Sequence, residues 1–268
     1  MLGSESLDSY RREGYLKIES VFSKEELVPV RTAVDRLLQE ARELKIQQSN
    51  ELYELELSAD RSQWPVVKRL QFVWRYDQAF RDLACHEKIL EGLVPLLGPD
   101  IELHHSKAYL KPPTVGTKVG LHQDYAFFPH SNDDVLAVMV YLDDSSEENG
   151  CLQVIPGSHR HEVLPHKDDD GLFIGRISDD IANDYLQNAK PLPVRAGGLT
   201  IHHYRTIHFS EANRSLHPRW AINIQYRAAD SAELIPRNIG VQDECFGVLV
   251  RGERPHKVRC RCGEIIEI

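Results

Sequence analysis

The sequence predicts a mainly β fold, an antiparallel sandwich or barrel with helices packed outside it, in a single domain of 268 residues. Apolar residues at helical spacing occupy much of 1–99, and short apolar runs separated by turn residues fill 100–227. No repeat or low-complexity tract divides the chain. We therefore expect a mainly helical support at 1–99, the β core at 100–227 and a C-terminal extension at 228–268.

Two helical patterns lie in the first third of the chain. Ser23 and Glu26 form a capping box in front of apolar residues at helical spacing, which predicts a helix start. Pro29 lies inside this pattern, so we expect it to delay the start of the helix or to kink the helix. A second pattern covers 77–97 and ends at Gly98, a residue typical of helix termini.

Short strands are predicted in the second half of the chain. The run 135–142 is continuously apolar, which is typical of a strand covered on both faces. Asn149-Gly150 is a hairpin-type turn signal. The remaining predicted strands are Glu102–Lys111, Cys151–Ile155, Leu199–His203 and Trp220–Tyr226. Several short strands separated by turns favour an antiparallel sandwich or barrel.

The segment 160–195 does not fit a compact sheet. It contains aspartate clusters at 168–170 and 179–180 and has little apolar periodicity. Two interpretations remain open: a solvated loop, or a mobile lid that closes over a site. An acidic lid would favour a neutral or cationic substrate unless one of its basic residues faces inward.

Composition and charge exclude several classes of function. The net charge is −9, whereas a nucleic-acid-binding protein needs a basic face, so we expect no nucleic-acid partner. The longest apolar run is too short to cross a bilayer, and the N-terminus lacks the pattern of a signal peptide. The 5 cysteines are too few for a disulfide framework. We therefore expect a cytoplasmic monomer or homodimer that acts on a small molecule and has no membrane partner.

Two His-x-Asp motifs are candidates for metal binding, at 122–124 and at 166–168. Because the chain has 13 histidines, such a motif is expected about once by chance, and its context must decide. The first motif follows the approach to a strand, on which residues i and i+2 point to one side, so His122 and Asp124 can face one cavity. The second motif, His166 and Asp168, lies among the aspartates of 160–195 and is better explained as a solvated face.

A second imidazole beside a histidine and a carboxylate would complete a facial triad, the ligand set that binds non-haem Fe(II) with open positions. The candidates for this third ligand are His202, His203 and His208. His202 and His203 are neighbours on a predicted strand and must point to opposite faces. Spacing alone leaves the choice open. It also leaves open a cupin-like metalloenzyme that uses His202 or His203, and a non-catalytic jelly roll that binds a metal or a small molecule.

The order and spacing of three stretches resemble the phytanoyl-CoA dioxygenase family. The stretches are 122–124, 149–159 and 197–219, and the similarity extends from about residue 100 to residue 227. The resemblance implies a double-stranded β-helix, which is a jelly-roll, cupin-like barrel. It also implies a dioxygenase that uses Fe(II), 2-oxoglutarate and O2, releases succinate and CO2, and hydroxylates an unactivated C–H bond of a small molecule.

The resemblance also implies the residues that bind the metal and the co-substrate. His208 becomes the third iron ligand beside His122 and Asp124, and these three residues form the catalytic centre. Arg219 pairs with the distal carboxylate of 2-oxoglutarate, which suits a guanidinium that donates two parallel hydrogen bonds. Ser210 is implied to assist that carboxylate.

Further site residues follow from the similarity of His105-Ser106-Lys107 to a strand of one hydroxylase in the family. It implies that Lys107 reaches 2-oxoglutarate and that His105, on the same face, approaches the substrate. Tyr125 and Phe128 follow the iron motif, and two interpretations stay open for them. They line the substrate pocket, or they only pack the barrel.

Overall fold

The computed structural model of the protein describes residues 2–41, 52–56, 66–114, 118–235 and 247–267. The helices within these ranges are α1 (Ser4–Glu13), α2 (Lys24–Ala41), α3 (Gln78–Ala84), α4 (Glu87–Leu97) and α5 (Asp179–Leu186). The strands are β1 (Tyr15–Ile18), β2 (Tyr53–Glu56), β3 (Val66–Gln71), β4 (Ile101–Lys111), β5 (Val119–His122), β6 (Val135–Tyr141), β7 (Leu152–Val154), β8 (Lys190–Leu192), β9 (Leu199–His203), β10 (His208–Ser210), β11 (Arg219–Ala228), β12 (Val248–Arg251), β13 (Lys257–Arg259) and β14 (Ile265–Glu267).

Two antiparallel sheets form the barrel. The large sheet has the order β1-β9-β6-β11-β4-β3-β2, and β12 pairs with the beginning of β4. The small sheet has the order β5-β10-β7-β8, and β13 and β14 form a separate hairpin. Side chains of both sheets line one internal cavity. The expected double-stranded β-helix is confirmed.

Alternation along the central strands separates the two faces of the large sheet. In β6, Leu136, Val138 and Val140 join the apolar core that packs against the helices, whereas Met139 and Tyr141 belong to a separate cluster on the inner face. The helices contribute buried side chains to this core, among them Val34, Leu37, Phe80, Leu90 and Leu93. The helices therefore cover the outer face of the large sheet, and the inner face is left for the cavity.

The predicted capping box of α2 is confirmed, but the expected effect of Pro29 on the helix start is wrong. The Ser23 backbone N–H donates to the Glu26 carboxylate at 2.8 Å, and the Glu26 N–H donates to the Ser23 hydroxyl at 3.3 Å. The helix begins at Lys24 and continues through Pro29. The capping box satisfies the first backbone donors and thereby fixes the start of the helix ahead of the proline.

The single helix predicted over 77–97 is wrong, because α3 and α4 are separate. Asp77 caps α3 by accepting a hydrogen bond from the Ala79 N–H at 2.9 Å. The ring of His86 accepts from the Lys88 N–H at 3.2 Å and so caps a new helix. The N-cap at His86 therefore separates α3 from α4, although the apolar spacing continues from one helix into the next.

The first 99 residues contribute more than helices. Three strands, β1, β2 and β3, belong to the large sheet, as does β12 from the last 41 residues. The segment 160–195 also differs from the expected loop, because it contains α5 and β8. Ile177 and Ala182 are buried there against Leu121 and Phe209. None of the helices among the described residues has the length and apolar character needed to cross a membrane.

Candidate metal centre and co-substrate pocket

His122, Asp124 and His208 come together at one end of the small sheet. His122 ends β5 and lies directly opposite His208, the first residue of β10. Asp124 Oδ1 is 3.7 Å from His122 Nε2 and 4.0 Å from His208 Nε2. Asp124 lies outside the strand and begins a 3₁₀ turn, so the expectation that both residues of the motif share a strand is wrong. They face one point nonetheless, because one ligand atom from each of the three residues lies within 4.8 Å of the others.

Backbone hydrogen bonds fix the orientation of the two imidazoles. The Nδ1–H of His122 donates to the Gly120 carbonyl at 2.8 Å, and the Nδ1–H of His208 donates to the Thr206 carbonyl at 2.9 Å. Each ring therefore turns the lone pair of Nε2 toward Asp124. A histidine that donates from one nitrogen and presents the other is the usual arrangement of a metal ligand.

Burial and mutual proximity set the protonation of this cluster. Burial lowers the pKa of His122 and of His208, so both imidazoles are neutral. Burial alone would raise the pKa of Asp124, but the three surrounding imidazoles lower it, and the net shift is downward. Two neutral imidazoles and one carboxylate are a ligand set that suits Fe(II).

His202 and His203 point to opposite faces, as the strand alternation predicts. His202 is buried beside the three-residue cluster, with Nε2 3.4 Å from Asp124 Oδ2 and its ring 4.4 Å from that of His208. The amide of Gln225 also donates to Asp124 Oδ2, at 3.4 Å. His203 faces away, and its ring lies 5.3 Å from that of His159. His202 and Gln225 therefore contact the carboxylate oxygen that does not face His122 and His208.

A narrow cavity leads from the histidines to Arg219. Ser210, Asn223 and Tyr109 line it together with His122, His202, His208 and Arg219. Arg219 is 1% exposed, and its Nη2 donates to the Gly150 carbonyl at 2.9 Å. Its Nε and Nη1 have no hydrogen-bond partner among the described residues. A buried guanidinium with two unused donors fits the distal carboxylate of 2-oxoglutarate.

Lys111 lies beside Arg219 and is a candidate site residue that sequence reasoning missed. It pairs with Arg219 across β4 and β11 and is 4% exposed, and its ammonium donates to the Glu211 carbonyl. Burial, and then the nearby Arg219, lowers the pKa of Lys111 to about 6. Two basic side chains side by side suit a carboxylate. The signal was available in the strand alternation, because 105, 107, 109 and 111 share one face of β4.

Lys107 and His105 lie nearer the metal end of β4. His105 is paired with Gln225, and Lys107 is paired with Asn223. The Lys107 ammonium lies 5.8 Å from the centre of the Phe128 ring. His105 packs on Phe72 at 4.7 Å, and Phe72 adopts a left-handed φ of 55°, which is uncommon for an aromatic residue. The structure thus brings the four residues His105, Lys107, Phe72 and Phe128 together on one wall.

Tyr125 and Phe128 have different surroundings. Tyr125 packs near Ala137 and Tyr204, and its hydroxyl donates to the His130 carbonyl at 2.7 Å. Phe128 contacts the same cluster and also lies 6.1 Å from the His105 ring. A role in the substrate pocket stays a prediction for both residues.

The interpretation of the second His-x-Asp motif as a solvated face is wrong for His166. This histidine is 4% exposed, and its Nε2 accepts from the backbone N–H of Gln123, between His122 and Asp124, at 2.9 Å. The carboxylate of Asp168 accepts from the N–H groups of Asp170 and Leu172 and closes a turn. The motif therefore serves two purposes, support of the first motif and a local turn.

Fold and site together define an Fe(II)- and 2-oxoglutarate-dependent oxygenase. The family model for phytanoyl-CoA dioxygenase (PhyH) matches residues 10–221, so the chain belongs to the phytanoyl-CoA dioxygenase family. A probable alpha-ketoglutarate-dependent hypophosphite dioxygenase of Stutzerimonas stutzeri is 36% identical over 235 residues, which cover 87% of this chain and 81% of that protein.

Solved structures agree with this assignment. The alpha-ketoglutarate-dependent carbocyclase SnoK from nogalamycin biosynthesis is 27% identical, covers 94% of each chain and has a TM-score of 0.69. EctD of S. alaskensis with 2-oxoglutarate and 5-hydroxyectoine shares the fold at 20% identity, over 85% of this chain and 77% of that chain, with a TM-score of 0.69. The protein is a dioxygenase that uses Fe(II), 2-oxoglutarate and O2. This excludes the metalloenzyme without 2-oxoglutarate and the non-catalytic jelly roll.

Proposed function

We propose that His122, Asp124 and His208 bind the iron and that Arg219, Lys111 and Ser210 bind the distal carboxylate of 2-oxoglutarate. The observation that carries the proposal is one continuous cavity with three converging ligand atoms at one end and two unused guanidinium donors at the other. Three protein ligands on one face leave positions for the co-substrate and O2. The protein's own contribution is to orient these groups and to exclude water.

The reaction we propose is the hydroxylation of a small molecule. One oxygen atom of O2 enters an X–H bond of the substrate, and the other enters the succinate formed when 2-oxoglutarate loses CO2. A C–H bond is the target that the family resemblance implies.

A second candidate is a P–H bond, because the relative from Stutzerimonas stutzeri carries the name of a hypophosphite dioxygenase. Hypophosphite, 2-oxoglutarate and O2 would then give phosphite, succinate and CO2.

The test of this function is the anaerobic addition of Fe(II) and 2-oxoglutarate to the metal-free protein. A weak visible charge-transfer band is expected, because it requires both ligands on one metal. The band should be absent in Asp124→Ala and present in Asp168→Ala, which changes only the second motif. Substrates are then found by succinate release on admission of air. A protein that binds Fe(II) but never develops the band would contradict the proposal.

A further inference from the structure

Three basic residues lie on the neighbouring strands β3 and β4, and one of them has no ion-pair partner among the described residues. Glu54 forms ion pairs with Lys68 at 3.4 Å and with Arg69 at 3.0 Å. It also accepts a hydrogen bond from the Gln71 amide at 3.0 Å. The ammonium of Lys107 makes neither a hydrogen bond nor an ion pair with any described residue and lies over the face of Phe128, 5.8 Å from the ring centre. This part of the wall therefore carries an uncompensated positive charge.

The position of Lys107 separates it from the end of the cavity proposed to bind 2-oxoglutarate. Along the inner face of β4, Lys107 is two same-face positions away from Lys111, the partner of Arg219. It is only one such position away from His105, the partner of Gln225, whose amide reaches Asp124. In a strand this places Lys107 about 13 Å nearer the metal end than Lys111.

The Lys107 side chain also points toward the metal end of the cavity. The ammonium turns toward Phe128, whose ring is 6.4 Å from that of Phe127. The ring of Phe127 in turn lies 5.8 Å from that of His122. The charge thus stands beside an aromatic wall that leads to the metal ligands.

The charges of the loaded site balance only if the substrate is negative. Asp124 and the co-substrate dianion supply three negative charges against four positive charges on Fe(II), Arg219 and protonated Lys111. Lys107 adds a further positive charge that has no counterion among the described residues. A partly buried ammonium without a partner is unfavourable, and a bound anion removes this cost. We infer that Lys107 is the anion-binding residue of the substrate pocket and that the substrate is a small oxyanion. This inference rests on the proposed function and deepens it.

The acidic segment does not oppose an anionic substrate. The carboxylate of Asp168 is occupied by backbone N–H groups of its own turn, and Asp169 and Asp170 are exposed to solvent. Two residues of this segment that approach the aromatic wall are Phe173 and His166, whose rings lie 5.1 and 6.2 Å from that of Phe127, and neither is acidic. The expectation of a neutral or cationic substrate depended on these aspartates. The positive charge of Lys107 on the nearby wall favours an anionic substrate instead.

The test measures substrate binding to the anaerobic Fe(II)–2-oxoglutarate holoenzyme through perturbation of the visible band. The probes are hypophosphite, which carries P–H bonds, ethylphosphonate, which carries C–H bonds, and the zwitterion ectoine. At least one of the two anions should bind. Lys107→Met should weaken that anion more than about tenfold, as expected for the loss of a charge-assisted contact, and leave the Kd of 2-oxoglutarate unchanged. Lys107→Arg should recover part of the affinity.

A matched control is Lys190→Met, because Lys190 also lies over an aromatic ring, that of Tyr15 at 5.5 Å, outside the cavity. Lys190→Met should change neither the affinity for the anion nor the Kd of 2-oxoglutarate. A loss of 2-oxoglutarate affinity in Lys107→Met with unchanged anion affinity would make Lys107 a co-substrate residue and overturn the inference. A wild-type holoenzyme that shows the band but responds to neither anion would overturn the substrate class alone. Absence of the band would instead reject the proposed function.

Discussion

Each histidine of the proposed iron centre presents Nε2 because a backbone carbonyl holds Nδ1. We therefore expect His122→Ala, Asp124→Ala and His208→Ala each to lower the iron content of the reconstituted protein more than about tenfold, since each removes one of three ligands. Iron is measured after anaerobic gel filtration. His203→Ala, one residue from His202 but on the opposite face, should keep its iron. Equal loss in His202→Ala and His208→Ala would mean that the third ligand is wrongly assigned.

The family resemblance implies the role of Arg219, and two of its guanidinium nitrogens that have no partner among the described residues support it. Arg219→Ala should raise the KM for 2-oxoglutarate by well over tenfold, because losing a buried charge-assisted pair costs about 2–5 kcal/mol. Iron content should stay unchanged. Arg219→Lys should recover only part of the affinity, since an ammonium does not donate two parallel hydrogen bonds. An unchanged KM in Arg219→Ala would contradict the assignment.

Lys111 should make 2-oxoglutarate binding depend on pH. Its pKa of about 6 means that the unliganded side chain is mostly neutral at pH 7, whereas a bound carboxylate favours the charged form. Binding therefore takes up a proton, and the KM for 2-oxoglutarate should rise as the pH increases from 6 to 8. Lys111→Met should have a higher KM that no longer changes over this range. A wild-type KM that is flat from pH 6 to 8 would argue against this role.

The residues that sequence reasoning found and missed differ in where their partners lie. His122 and Asp124 are close in sequence, and the family motif supplied His208 and Arg219. Lys111 is recognised as a candidate only because it pairs with Arg219, which lies on another strand, 108 residues away in sequence. His166 was misinterpreted because its partner is a backbone N–H of Gln123, which no residue pattern reveals.

At the scale of elements, periodicity found most helices and strands, and local hydrogen bonds decided where they end. The pattern over 77–97 reads as one helix because its apolar spacing continues across the break. The break at His86 depends on a side-chain cap, a contact that spacing does not encode. Strand alternation was more reliable, and it correctly placed His202 and His203 on opposite faces.

A mobile lid is one of two interpretations of the segment 160–195, and the structure narrows the part of the segment that can move. Ile177 and Ala182 are buried, whereas Leu172 and Phe173 are 68% and 51% exposed. Trypsin should therefore cut first at exposed Lys167 in the metal-free protein. Fe(II), 2-oxoglutarate and a turnover-competent substrate should together slow this cut, because the segment orders over the site.

Cleavage after Arg251, on a strand at the edge of the large sheet, serves as the control for the lid, and its rate should not respond to the ligands. The fragments are identified by mass spectrometry. If Lys167 is cut at the same rate with and without the three ligands, the segment is a fixed part of the fold and the lid prediction fails.

For the whole molecule, the sequence indicated a barrel with outer helices but did not reveal which distant segments complete it. The strands β1, β2 and β3 come from the part expected to be helical, and β12 comes from the C-terminal part. Short edge strands have weak patterns of their own, because their stability comes from pairing with a neighbour that is remote in sequence. Their places follow from pairing of β1 with β9, of β3 and β12 with β4, and of β2 with β3, which only the structure supplies.

The two sheets meet at the proposed ligand sites, which predicts a stability that depends on both ligands. His122 and His208 belong to the small sheet, whereas Arg219 and Lys111 belong to the large one. Iron held at the three proposed ligands would therefore be bound by the small sheet and the turn that follows β5, and 2-oxoglutarate held by both the iron and Arg219 would connect the two sheets. A ligand at 100 times its Kd stabilises by about 2.7 kcal/mol, which corresponds to a rise in Tm of about 5–10 °C.

Differential scanning fluorimetry under nitrogen would compare the metal-free protein with Fe(II), with 2-oxoglutarate and with both ligands. Both together should raise the Tm most, and a chelator should reverse the rise. Arg219→Ala should keep the shift caused by iron and lose the additional shift caused by 2-oxoglutarate, and Asp124→Ala should lose both. A full shift by 2-oxoglutarate without metal, or in Arg219→Ala, would show that the co-substrate does not bridge the iron ligands and Arg219.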